Sequence, residues 1–202
     1  MIGIINYNMG NLASVTNALA KLEINAEVQS DPEKISQYDK LILPGVGAFG
    51  DAMEHLKKMG MDEAINAFAK SGKNILGICL GMQLLFDESE EFGAYKGLGL
   101  IPGKIVKFDE KRFPHRLKVP HMGWNEVFVK DAPLFQGLPK DFYLYFVHSY
   151  HALCEEQYTI GKCTYGYEFS AAVQRENILG LQPHPEKSHE SGLQILKNFT
   201  TL

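Results

Sequence analysis

Gly77-Ile78-Cys79-Leu80-Gly81 sets a cysteine between two glycines, after an apolar run and before residues of helical character. A nucleophile on a tight strand-to-helix turn takes a strained backbone conformation, so the residues two positions away must be small. Amides at the start of the next helix, and the positive end of its dipole, favour thiolate over thiol. A buried, inert cysteine would fit the same turn. Farther along, Gly180-Leu181-Gln182-Pro183-His184-Pro185-Glu186-Lys187 sets His184 and Glu186 two apart beyond another apolar run. In extended chain, residues i and i+2 project to the same side. The carboxylate can then hold one imidazole nitrogen while the other faces a nucleophile, as in a catalytic triad. A solvated His and Glu on a loop is the alternative. A third segment, Leu43-Pro44-Gly45-Val46-Gly47, has glycines that let backbone amides approach a ligand closely. Paired with the amide after the nucleophile, such a loop can hold an oxyanion. No Gly-Lys-Ser/Thr follows it, so it is not a phosphate loop. Together the three segments spell acyl transfer through a thiol.

The elements that must position these residues follow from the hydrophobic pattern. Ile2 to Ile5, Leu41 to Leu43 and Asn74 to Ile78 are apolar, strand-like runs. Between them Leu12, Val15, Leu19 and Leu22 recur at helical spacing, and helical material is expected from about Asp51 to Lys70. Met82 to Glu88 also reads as helix. Apolar strands alternating with helices predict parallel β/α units. From Leu98 to Leu181 the pattern changes to short β-branched and aromatic runs: Lys104–Phe108, Glu126–Val129, Phe142–Val147, Tyr158–Cys163, Ala171–Val173 and Ile178–Leu181. These predict an antiparallel section on the parallel core, closed by a helix over about His189 to Leu202. The expected architecture is a mixed α/β, mainly parallel central sheet with flanking helices. With no Pro-, Gly- or Ser-rich linker, 1–202 reads as one domain.

Composition narrows the partners. Of 202 residues, 45% are hydrophobic, enough to build a core and to exclude a disordered chain. The net charge is −4, and the densest basic stretch, Lys104 to Lys118, also carries Asp109 and Glu110. That argues against nucleic acid as a partner. No apolar run approaches the ~18 residues that span a bilayer. Met1 to Tyr7 is short and without a charged leader, so a first strand is expected there and not a signal peptide. Three cysteines, an odd number, fit a reducing cytoplasm. The seven histidines show no zinc-site spacing with them, and no metal is expected.

Gly77 to Gln83, with the Gln-x-His-Pro-Glu-Lys-Ser pattern at 182–188, resembles the class I (triad) glutamine amidotransferases. Pro44-Gly45-Val46-Gly47, Pro120-His121-Met122-Gly123-Trp124-Asn125 and Tyr145-Phe146-Val147-His148-Ser149-Tyr150 narrow the resemblance to members serving histidine biosynthesis. The five motifs stand in consistent order from the first strand to the last helix. The family usually has an aromatic residue before the histidine. Pro183 stands there, so this strand end is expected at a sheet edge or already leaving the sheet.

The resemblance implies a flavodoxin-like fold and a glutaminase without cofactor. Cys79 would attack the glutamine carboxamide, His184 would carry the proton and Glu186 would orient the imidazole. The amides of Val46 and Leu80 would bind the oxyanion. Gly45, Gly47, Gln83, His148, Ser149 and Tyr150 would surround the glutamine, although His148 also reads as a packing residue. A (β/α)8-barrel cyclase subunit would receive the ammonia in a heterodimer. It would make imidazole glycerol phosphate and an aminoimidazole carboxamide ribotide, with Asn11, Trp124, Asn125, Tyr145 and Lys187 at the interface. The alternative is a paralogous glutaminase feeding a surface-sugar amidating synthase. His121 reads as structural or interfacial, and Cys154 and Cys163 as core thiols.

Overall fold

The computed structural model describes residues 1–139 and 141–202. Its first half runs β1 (Ile2–Ile5), α1 (Leu12–Lys21), β2 (Ala26–Gln29), β3 (Lys40–Gly45), α2 (Phe49–Lys58), α3 (Met61–Lys70), β4 (Ile75–Cys79), α4 (Leu80–Leu84) and β5 (Phe86–Ser89). The second half adds β6 (Tyr95–Lys96), β7 (Ile101–Lys107), β8 (His121–Glu126), β9 (Phe128–Val129), β10 (Tyr143–His148), β11 (Tyr150–Leu153), β12 (Thr159–Tyr165), β13 (Tyr167–Arg175), β14 (Ile178–Leu181) and α5 (His189–Thr201). The main sheet has the order β2-β1-β3-β4-β14-β13-β11-β7-β5-β6, with β12 on β13 and β9 on β12. β2, β1, β3, β4 and β14 are mutually parallel, and most of the rest pair antiparallel. β8 and β10 form a separate two-stranded ribbon.

Strands buried on both faces need apolar side chains at every position. β1 and β4 meet that demand, and alternate residues serve opposite cores. Ile4, Ile42, Leu76 and Ile78 pack with Val15, Leu19, Ile195 and Phe199 of α1 and α5. Ile5, Leu41, Leu43 and Ile75 pack with Leu56, Ile65 and Phe68 of α2 and α3.

The sequence pattern misplaces three features, each for a local reason. The expected helix over 51–70 is two helices, because Gly60 takes a left-handed φ of 69° that ends one and starts the next. The strand after Lys40 runs on through Pro44 and Gly45. Its ladder to β1 has ended by Ile42, so the missing proline N–H removes no bond on that side. Met82 to Glu88 is not a helix: α4 stops at Leu84, since the carbonyls of Leu84 and Leu85 accept from Leu98 and Leu100 and residues 86–89 join the sheet. Ile178–Leu181 is the junction strand, parallel to β4 and antiparallel to β13. Of the two outcomes expected at its end, a sheet edge or a departure from the sheet, the second holds. The chain departs at Pro183, just after the last ladder bond from the Gln182 N–H to the Ala171 carbonyl.

Candidate active site

Cys79 ends β4 with a φ of 55°, a left-handed conformation that a side chain rarely adopts. The flanking glycines are a packing necessity. A Cβ on Gly77 would lie 2.6 Å from the Gly81 carbonyl oxygen, and one on Gly81 would lie 1.7 Å from that of Leu43. Only hydrogen at both positions lets β4 turn into α4 this tightly against β3. Because α4 has five residues, it contributes the free amides of a first turn and little of a full helix dipole.

His184 and Glu186 are paired. His184 Nδ1 lies 2.7 Å from Glu186 Oε1, and each side chain is 2% exposed. A carboxylate only accepts, so Nδ1 donates and Nε2 is left unpartnered. The pairing does not come from extended chain throughout: Pro185–Lys187 form a 3-10 turn that brings the carboxylate back to the ring. β10 holds this turn. The His184 N–H donates to the Tyr145 carbonyl, and Ser188 Oγ accepts from the Tyr145 N–H while donating to the His184 carbonyl. Burial alone would push the imidazole down, but the Cys79 sulfur and the Glu186 carboxylate outweigh it and lift His184 to about 9. The imidazolium is thus the resting form at neutral pH.

Cys79 and His184 share a cavity of about 350 Å³, also lined by Val46, Gly47, Leu80, Gln83, His148, Ser149 and Tyr150. Of the expected set, Gly45 and Glu186 do not line it; Glu186 lies behind the His184 ring, bound to Nδ1. Gly45 serves packing: a Cβ there would lie 2.5 Å from the Tyr7 hydroxyl and 3.0 Å from Leu80 Cβ. Ring nitrogens of His148 are both engaged within the protein, Nδ1 with the Tyr150 carbonyl at 2.8 Å and Nε2 with His121 Nδ1 at 3.0 Å. Burial and the neighbouring His121 hold His148 well below the usual histidine range, so it is neutral. His148 therefore borders the cavity as a ring and a positioning group. His121 is fully buried, stacked between Phe146 and Tyr165.

Three residues escaped the sequence reading. Among the described residues, Glu91 is the one carboxylate lining the cavity; it accepts from the Phe49 N–H at 2.7 Å, and burial raises its carboxyl. Tyr7 is buried beneath the Pro44–Gly47 loop, donating to the Pro44 carbonyl at 2.9 Å. Gln182, also fully buried, directs Nε2 at Cys79 Sγ. Glu91 lay hidden in an acidic run and Gln182 beside a more conspicuous histidine; spacing marks neither. Cys154 and Cys163 are free thiols away from the cavity, and burial pushes Cys163 up to about 12. Among the described residues, no group of three or more His, Cys, Asp or Glu is placed to hold a metal, and no helix is long and apolar enough to cross a membrane.

The residues expected at a partner surface divide by face. Trp124 and Tyr145 pack edge to face on the outer side of the ribbon, with Lys187 Nζ 5.9 Å from the Tyr145 ring centre. Met122 and Tyr143 extend this exposed apolar patch. Asn125 is engaged internally, donating to the Thr164 carbonyl at 3.2 Å, and Asn11 caps α1 by accepting from the Ser14 N–H.

Comparison with known proteins agrees with this geometry. The family model described as glutamine amidotransferase class-I matches residues 4–201. The imidazole glycerol phosphate synthase subunit HisH of Sulfurimonas denitrificans is 65% identical over 201 residues, covering 99% of this chain and 97% of that protein. The protein of the same name from Wolinella succinogenes is 57% identical, covering 98% of each. Among solved structures, that of PurLQS from Thermotoga maritima is similar with a TM-score of 0.78 at 20% identity, covering 99% of this chain and 97% of that one, a likeness of fold.

Proposed function

The chain belongs to the class-I glutamine amidotransferases, and from that membership we propose that it is the glutaminase subunit of an imidazole glycerol phosphate synthase, acting in histidine biosynthesis as one domain over 1–202. The observation that carries the reading is that Cys79 and His184 open on one cavity, with Glu186 held against His184 Nδ1 at 2.7 Å.

In this reading glutamine enters the cavity with its α-ammonium toward Glu91, the acidic group available to neutralise it. Cys79 thiolate attacks the carboxamide carbon, and the oxygen's new charge rests on the Val46 and Leu80 amides. His184, protonated through Nε2, delivers that proton to the leaving nitrogen as the C–N bond breaks. Ammonia departs and a glutamyl thioester remains. Water then gives a proton to His184 and adds to the thioester, releasing glutamate and restoring thiolate and imidazolium. Ammonia loses its usefulness once protonated, so it passes directly to a partner. We assign that partner as a (β/α)8-barrel cyclase subunit docked on the Trp124, Tyr145 and Lys187 patch, with both working in the cytoplasm.

The test is glutamate release from glutamine by the chain mixed with the matching cyclase subunit, with and without the cyclase's nucleotide. A rise that needs both and falls to background in Cys79→Ala is expected. Turnover that depends on Cys79 but ignores cyclase and nucleotide would remove the histidine-pathway assignment.

A further inference from the structure

The cavity wall holds a line of hydrogen bonds whose direction is fixed. The Tyr150 carbonyl can only accept, and it takes two donors, His148 Nδ1 at 2.8 Å and Gln83 Nε2 at 3.1 Å. Gln83 must therefore present its NH2 group to this oxygen. The same Nε2 lies 3.0 Å from Gln182, so the atom facing it has to be an acceptor, Gln182 Oε1. That orientation leaves the Gln182 NH2 group on the far side of the amide. There it lies 3.8 Å from Cys79 Sγ. Turning the Gln182 amide over would set donor against donor in a fully buried position. On its outer side the line is backed by His121, whose Nδ1 donates to His148 Nε2.

We propose that Gln182 is a further working part of the nucleophile: its N–H, locked in direction by Gln83 and the Tyr150 carbonyl, donates to Cys79 Sγ and favours the thiolate. The sulfur cannot meet an acceptor from this side. When it carries a proton, the Val147 carbonyl at 4.0 Å is a long contact that does little for the thiol form, and His184, the other group paired with the sulfur, takes that proton in the ion pair. A donor aimed at a charged acceptor favours the charged state. The role deepens the glutaminase reading and rests on Cys79 being the reactive thiol.

Iodoacetamide alkylation of the full-length chain, followed at the Cys79 peptide by mass spectrometry across pH, tests this without glutamine. Gln182→Met keeps the volume and removes the donor. Its half-maximal alkylation is expected about one pH unit higher than in the wild type, or about tenfold slower alkylation at neutral pH. Gln83→Met leaves the sulfur untouched but frees the Gln182 amide to turn, and should shift the profile the same way by less. A Gln182→Met profile overlying the wild type overturns the proposal. Should that variant fail to fold by circular dichroism, the Gln83→Met profile decides by the same criterion. A wild-type Cys79 no more reactive than Cys154 would instead overturn the nucleophile reading, and this role with it.

Discussion

Glu186 does two things to His184 that can be separated by titration. It fixes the ring through Nδ1, and with Cys79 it raises the imidazole to about 9 against the lowering effect of burial. Because the folded protein lifts this group, the imidazolium persists through neutral pH and is lost only as pH rises through about 9. Ammonia release needs that proton, so glutaminase activity of the assembled enzyme should fall along an alkaline limb near pH 9. Glu186→Gln keeps a hydrogen-bond acceptor for Nδ1 but removes the charge. Its alkaline limb should move toward neutral pH, and the plateau should drop by about 10² to 10⁴-fold. A pH–rate profile of both proteins reads the two effects separately. A limb that stays in place would show that the carboxylate charge is not what holds the proton on His184.

At the level of elements, the two glycines that punctuate the first half do different work. Gly60 supplies a left-handed hinge between α2 and α3 with open space around it; its nearest foreign atom, Pro32 Cγ, would lie 4.0 Å from an added Cβ. Gly60→Ala should cost about 1–2 kcal/mol in urea denaturation, the penalty of a left-handed alanine, and leave Cys79 alkylation unchanged. Gly81→Ala drives a methyl into the Leu43 carbonyl, backbone against backbone. Loss of about 3 kcal/mol or more, with slowed alkylation as the nucleophile turn shifts, is the expected result. The same distinction explains what the sequence could reveal. Period and apolar runs disclosed β1, α1, β4 and α5, because each buries a face determined by its own residues. They failed at β2, where an exposed edge strand, Ala26–Gln29, carries no pattern, and at 82–88, where distant residues take the backbone bonds. Cys79, His184 and Glu186 stood out in the sequence because strained turns demand special residue types. Glu91 and Gln182 were not, since their roles arise from what folding places opposite them.

For the whole molecule, the ribbon of β8 and β10 is the part the fold leaves half used. Two strands alone are marginally stable. Here the inner face is secured by Leu144, Phe146 and His121 in the core, while Met122, Trp124 and Tyr143 remain exposed outside. The same β10 backbone grips His184 and Ser188, so whatever lands on the outer face presses on the strand that holds His184. Trp124 is the only tryptophan in the sequence, 43% exposed and stacked flat on His189 with ring centres 4.8 Å apart. Its fluorescence is therefore a single-site report on this face. Titration with the cyclase subunit should shift the emission to the blue as water leaves the indole. Trp124→Ala should weaken that complex by about 2–4 kcal/mol, measured by calorimetry, while barely altering the melting temperature of the free chain. Emission that stays unshifted while calorimetry registers complex formation would move the docking surface away from the ribbon, and β10 could then no longer link the partner to His184.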